Sequence, residues 1–316
     1  MKRMSDRPAG VSLRPVVEGD LDADAAWLHA SVEAFEPRLR ELERRGLEGR
    51  GEVAGEGAWE AGRRLGLGCG SVCRCCPPRH RFLDLDRWWG DGRRRDAHAL
   101  ARRLERAVEA GEPIVLGGAA DPYGGDAAHR ARTRRLLAAL RDVEGAELRL
   151  ATATPIVLCD LDLLVELDAT SSLLFEMVVP TADPDLARRL EPGAPGAAER
   201  FGALREIAAE GIAASLRVAP VLPGLSDGVE RLRPLVAAAA AAGAVDAVAS
   251  VLRLPWRARR RFFAWLATEA PELVAEYRRL YRFRRALPRQ RVEEVLAGFE
   301  MLRLEHGFPR ALPGRS

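Results

Sequence analysis

Lysine is nearly absent from this sequence: Lys2 is the only one among 49 lysines and arginines. Arginine carries the positive charge instead, a bias of the kind a GC-rich genome imposes, so the identity of a single arginine says little. Excess charge of either sign is missing too. The 49 basic residues face 46 acidic ones, and the net +3 does not demand a polyanionic partner. Local basic runs at 93–95, 257–261 and 278–285 read as solvated helix faces. The sequence has no long apolar run. Its longest alanine tract, 236–242, is far short of a membrane span, and the opening residues lack the apolar core of a signal peptide. These absences predict a cytoplasmic protein with no membrane contact. Cysteine is scarce, five in all, yet four of the five lie between 69 and 76. That crowding, in a chain too long to be a small secreted domain, excludes a disulfide framework.

What is present is Cys69, Cys73 and Cys76 in the pattern C-x3-C-x2-C, on the glycine-rich stretch 66–70. Three thiolates at that spacing can wrap one face of a cubane iron–sulfur cluster and leave its fourth iron open to a substrate or cofactor. A structural zinc site stays open at this point, with Cys75 or His80 as the fourth ligand. So do unligated or redox-active thiols.

Apolar residues make up 47 % of the 316, enough for a large core. Short runs of Val, Ile and Leu alternate with stretches of helical period, which predicts parallel strands joined by crossover helices. Strands are expected at 113–117, 147–152, 173–179, 214–221 and 245–252, with a weaker one at about 60–67 before the cysteines. Helices are expected at 96–110, 127–142, 160–168, 197–209 and 228–242. Six β/α units make a partial (β/α)6 barrel, whose site would lie at the C-terminal ends of the strands. Every unusual loop (the cysteines, Gly117-Gly118, Thr152-Ala153-Thr154, Pro180-Thr181, Leu222-Pro223-Gly224) falls on that rim.

Residues 1–57 read as an N-terminal helical extension and glycine-rich linker, 58–256 as the barrel core and 257–316 as a C-terminal helical region. In that last region helices are expected at 257–266, 271–287 and 291–304, punctuated by Pro271 and Pro288.

Several further blocks occur in order: 113–117 with Asp121-Pro122-Tyr123, then 157–164, 185–192, 218–227 and 252–255. Together with the cysteines they resemble the radical S-adenosylmethionine superfamily, in its spore-photoproduct-lyase-like branch. The resemblance implies a partial barrel of the radical S-adenosylmethionine type. It also implies a [4Fe–4S] cluster on Cys69, Cys73 and Cys76, with S-adenosyl-L-methionine at the open iron. Gly117 and Gly118 would grip the cofactor's amino group, and Asp121, Thr152 and Thr154 would be polar contacts. Leu222 would supply an apolar surface for adenine and Gly224 the turn beside it. Tyr123, facing the substrate, and Glu191 would be the catalytic candidates. The chain departs from the branch at three places. Cys75 replaces an aromatic residue, Ala153 a lysine suited to the methionyl carboxylate, and Val178 a serine. Arg217 and Arg253 are candidates to supply the missing charge. Cys159 reads as a partly buried structural thiol.

The activity so implied is reductive cleavage of S-adenosylmethionine to a 5′-deoxyadenosyl radical acting on an unknown substrate. A nucleic-acid lesion is suggested by the branch, with a flavodoxin or ferredoxin as reductant. The alternatives are a cluster-binding member without turnover, acting as a redox sensor or scaffold, and a zinc-stabilised binding protein.

Overall fold

The computed structural model describes residues 83–84, 97–117, 121–124, 127–141, 143–254 and 256–308. Cys69, Cys73, Cys76, Gly118, the expected strand at 60–67 and the N-terminal extension lie outside the described residues.

Six strands form one sheet in sequence order, every neighbouring pair parallel. They are β1 (Leu83–Asp84), β2 (Ile114–Leu116), β3 (Glu147–Thr152), β4 (Ser172–Val178), β5 (Ala213–Val221) and β6 (Asp246–Val251). Helices α1 (Ala97–Glu109), α2 (Ala127–Arg141) and α3 (Leu161–Thr170) make the first crossovers. The β4–β5 crossover holds α4 (Pro184–Leu190) and α5 (Ala197–Ala209), and α6 (Val229–Ala241) joins β5 to β6. β6 does not return to β1, so the sheet is an open partial barrel, as the β/α alternation predicts. Among the described residues no helix is long and apolar enough to cross a membrane.

Period-two alternation sets the two faces of the sheet. Parallel register lines up Leu116, Leu150, Phe175 and Ala214 in one row and Ile114, Leu148 and Leu173 in another, all buried. Each large side chain in these rows contributes about 1.5–3 kcal/mol by leaving water. The intervening positions bring Arg149, Glu176, Ser215 and Arg217 to the opposite face, where Arg217 donates a hydrogen bond to Glu176. A one-residue slip would exchange the two sets, which pins the register.

β2 is flanked by Leu83–Asp84, a strand the periodicity did not mark. Three expectations need correction. The helix expected from residue 160 is preceded by a 3-10 turn, Pro155–Asp160, because Thr154 caps Ile156 N and Pro155 sets the first φ. A short helix, α4, forms where periodicity predicted none, started by Asp183, whose carboxylate accepts from the amides of Asp185 and Leu186. The long helix expected at 271–287 is instead a turn, Pro271–Leu273, and α8 (Val274–Leu280). It stops there because Arg259, on α7 (Trp256–Glu269), takes the carbonyls of Tyr281, Arg282 and Arg284. The last helix, α9 (Arg289–Glu305), packs against α6 and β6.

Candidate functional site

The loops after β2, β3, β4 and β5 gather at one end of the sheet, as parallel strands require. At the end of β2, Gly117 has φ +87°, and a Cβ there would stand 1.9 Å from the carbonyl oxygen of Ala151. Only glycine allows the two segments to approach this closely.

Four residues on, Asp121 ties the β2 loop to the end of β3. One carboxylate oxygen accepts from the Thr152 hydroxyl (2.7 Å) and the Tyr123 amide (2.9 Å), the other from the Ala153 amide (2.7 Å). Burial pushes the Asp121 carboxyl above its ordinary range, while these hydrogen bonds and the charge of Arg200 pull it back. Thr152 also accepts from the Thr154 amide (3.2 Å), and Thr154 caps the following turn. Gly117, Asp121, Thr152 and Thr154 are thus brought together, and both threonines are buried.

Tyr123 is placed differently from expectation. It is 1 % exposed and donates its hydroxyl to Asp160 (3.0 Å), so it faces the base of α3 rather than an open rim. The other Asp160 oxygen accepts from Arg134 (2.5 Å), which also reaches Asp162 (3.4 Å). Burial and the adjacent Asp160 charge raise the Tyr123 hydroxyl well above its ordinary pKa, so it stays a proton donor. Cys159, beside this pair, is fully buried, more so than the partly buried thiol expected.

Glu191 accepts a hydrogen bond from Arg200 (2.6 Å). Arg200 also donates to the carbonyls of Pro195 and Val178 (2.9 Å each), fastening the end of β4. It is 2 % exposed, and nothing in the sequence distinguishes it from the other arginines. Its one local signal is Glu199, which caps the amide of Gly196 and so fixes where α5 starts. Arg217 does not supply a spare charge at the rim, because its partner is Glu176 on the sheet face.

On the far side, Leu222 is fully buried, and its amide donates to Ser226 Oγ (2.9 Å). Gly224 turns with φ +79°, its amide donating to Asp227 (2.8 Å). Tyr277 of α8 donates to the Pro223 carbonyl (2.8 Å) and Tyr281 to that of Leu252 (2.8 Å).

Cys69, Cys73 and Cys76 are three soft thiol donors, a set that fits an iron–sulfur cluster, while Cys75 or His80 would be the fourth ligand of a zinc site. Among the described residues no group of three or more His, Cys, Asp or Glu forms a competing metal site. Beside the constricted Gly117 turn, Ala151 and Ala153 carry small, buried side chains.

No protein-family model matches the sequence. Among solved structures, spore photoproduct lyase complexed with dinucleoside spore photoproduct is similar at TM-score 0.50 and 14 % identity, over 74 % of this chain and 70 % of that one. A mutant of that lyase with bound AdoMet and the same dinucleoside gives TM-score 0.49, covering 66 % of this chain and 63 % of that one, just under two thirds of its length. What is shared with the first is the fold, an open parallel α/β sheet. In sequence, uncharacterized protein Rv2578c of Mycobacterium tuberculosis and uncharacterized protein Mb2609c of Mycobacterium bovis are each 32 % identical over 252 residues, 74 % of this chain and 73 % of the relative. The chain belongs to the family of these mycobacterial proteins.

Proposed function

We propose that this chain is a radical S-adenosylmethionine protein in which Cys69, Cys73 and Cys76 hold a [4Fe–4S] cluster. The observation that carries the reading is the C-x3-C-x2-C spacing in a chain whose parallel strands end on one rim. Cluster and S-adenosylmethionine together supply a hydrogen-abstracting radical, chemistry that belongs to the cofactor.

The chain's residues hold and shape the site. Gly117 and Gly118 bring backbone to the cofactor. Asp121 locks the β2 loop to Thr152 and Ala153, so that loop is preorganised before anything binds. Thr154 and Gly224 set the turns after β3 and β5. Leu222 gives the β5 side its apolar body. Tyr123 and Glu191 act as positioning residues through Asp160 and Arg200. A nucleic-acid lesion as substrate draws on the dinucleoside held by the similar lyase, and a flavodoxin or ferredoxin would deliver the electron. The division into an extension (1–57), a core (58–256) and a helical cap (257–316) belongs to the same reading.

Anaerobic reconstitution should give a brown protein with about four irons per chain, which forms 5′-deoxyadenosine under reducing conditions. Alanine at Cys69, Cys73 or Cys76 should abolish iron binding, and alanine at Cys75 or Cys159 should retain it. Stoichiometric zinc with no iron uptake would sink the cluster.

A second reading, cluster binding without turnover, is favoured by one feature. Ala153 and Val178 leave no charge where a methionyl carboxylate would need one. Ala153→Lys should then tighten S-adenosylmethionine binding about tenfold by adding one charge-assisted contact. Calorimetric silence in both proteins would support the inactive scaffold.

A further inference from the structure

Between 256 and 285 the sequence has nine arginines against three glutamates and no aspartate, a local surplus of six in a chain whose total is only +3. A genome-wide preference for arginine does not explain segregation of charge. The fold also gathers these residues. Arg259 lies over the Trp256 ring (3.9 Å to its centroid) and donates to the carbonyls of Arg282 (3.1 Å), Arg284 (2.8 Å) and Tyr281. The Tyr281 hydroxyl on Leu252 and the Leu254 amide on the Arg285 carbonyl (2.7 Å) hold the same loop from behind. The start of α7 and the loop after α8 therefore form one surface.

Two rings protrude from it. Trp256 is 50 % exposed and Phe283 77 %, the only exposed aromatic side chains among the described residues. Arg282 lies against Phe283 (4.9 Å). Arg260, Arg278, Arg279, Arg282, Arg284 and Arg285 are exposed and make no salt bridge among the described residues. Exposed rings among unneutralised guanidinium groups match a ligand that alternates flat π-faces with phosphates. A duplex keeps its bases stacked on one another and offers the rings nothing. A membrane would require contiguous apolar area, and here arginines separate the rings. An acidic protein would leave the rings without a role.

We propose that this surface binds single-stranded nucleic acid, with phosphates on the arginines and unstacked bases on Phe283 and Trp256. Its position is informative, because Tyr277 on Pro223 and Tyr281 on Leu252 fasten it to the β5 and β6 ends of the rim. Binding does not depend on the radical reading. Only delivery of the strand to that chemistry rests on it.

The test is fluorescence anisotropy of a labelled oligothymidylate about 16 nucleotides long, titrated with the full chain at several salt concentrations. Affinity should fall steeply with salt. Phe283→Ala, and separately Trp256→Ala, should weaken binding roughly tenfold without altering the salt slope. Joint replacement of Arg282, Arg284 and Arg285 by Ala should reduce the slope by about two. All these side chains are exposed, and circular dichroism checks that the variants stay folded. Tighter binding of a duplex of the same length, indifference to both ring variants, or preference for phosphatidylserine vesicles or polyglutamate would overturn the proposal. Iron content measured on the same samples separates the two claims. Lost oligonucleotide binding with iron in place removes this surface alone, and iron-free protein that still binds removes the cluster alone.

Discussion

At the β2–β3 end of the rim the loops are held by a buried carboxylate, Asp121, that takes three hydrogen bonds, whereas at the β5–β6 end they are held by the neutral hydroxyls of Tyr277 and Tyr281. Behind those hydroxyls stand stacked rings. Tyr277 packs on Tyr281 and on Phe262, which also touches Phe263 and Trp265. The difference is one of tolerance. A buried carboxylate in a closed network is costly to leave half-satisfied, so it dictates one loop geometry. A ring cluster with single hydrogen bonds loses only part of its hold when a group is removed. On the proposed reading, the first end would place a cofactor accurately and the second would dock a larger ligand.

The sharpest way to break this contrast is to put the same change at both ends. Gly117→Ala drives a Cβ into the Ala151 carbonyl at a positive φ, and should cost about 3 kcal/mol or more, or prevent folding. Gly224→Ala meets only the tip of Leu273 at 3.3 Å, so backbone strain dominates and the loss should be about 1 kcal/mol. Urea midpoints of the two variants measure the difference, and equal losses would show that the ends are alike.

Next in size is Asp121→Ala. It strands the Ala153 amide and the Thr152 hydroxyl in the interior, a loss of about 2–3 kcal/mol in the same assay. Tyr277→Phe at the other end removes one hydrogen bond and keeps the ring, so about 1 kcal/mol is expected. If Tyr277→Phe costs as much as Asp121→Ala, the neutral end is no more tolerant than the charged one.

The smallest effect is a pH dependence confined to the charged end. Burial raises the folded pKa of Asp121 above its unfolded value of 3.8, so the folded state holds that proton more tightly. The contribution is present below the unfolded pKa and is lost as pH rises through the folded one. The stability gap between the unaltered chain and Asp121→Asn should therefore narrow as pH is raised from 3.8 upward. A gap that widens over that range would mean that the hydrogen bonds from Thr152, Ala153 and Tyr123 outweigh desolvation.

Asp121 also shows how far sequence reading went. Its polarity and its place after β2 marked it as a site residue, but not its partner, because an aspartate beside an unseen ligand and one locked to the next strand have the same neighbours in sequence. The partner of Tyr123 was hidden for a related reason. Asp-Pro-Tyr signals a turn, and which way the ring swings depends on Asp160, 37 residues away. Arg200 had no signal beyond the capping Glu199 beside it, since its role consists of three bonds to groups that helix α5 reaches.

What the sequence by itself determined is everything that rests on local spacing. The period-two apolar runs became β3 to β6 within a residue or two of the expected bounds, and the long apolar periods became the crossover helices. The cysteine spacing likewise offered a candidate donor set from neighbours alone, outside the described residues. Tertiary structure alone decided which polar groups neutralise one another, where the α8 helix ends, and that Trp256 and Phe283 share a surface with the arginines around them. Periodicity is a property of neighbours three or four residues apart, whereas pairing and burial arise between segments that meet only after the chain has folded.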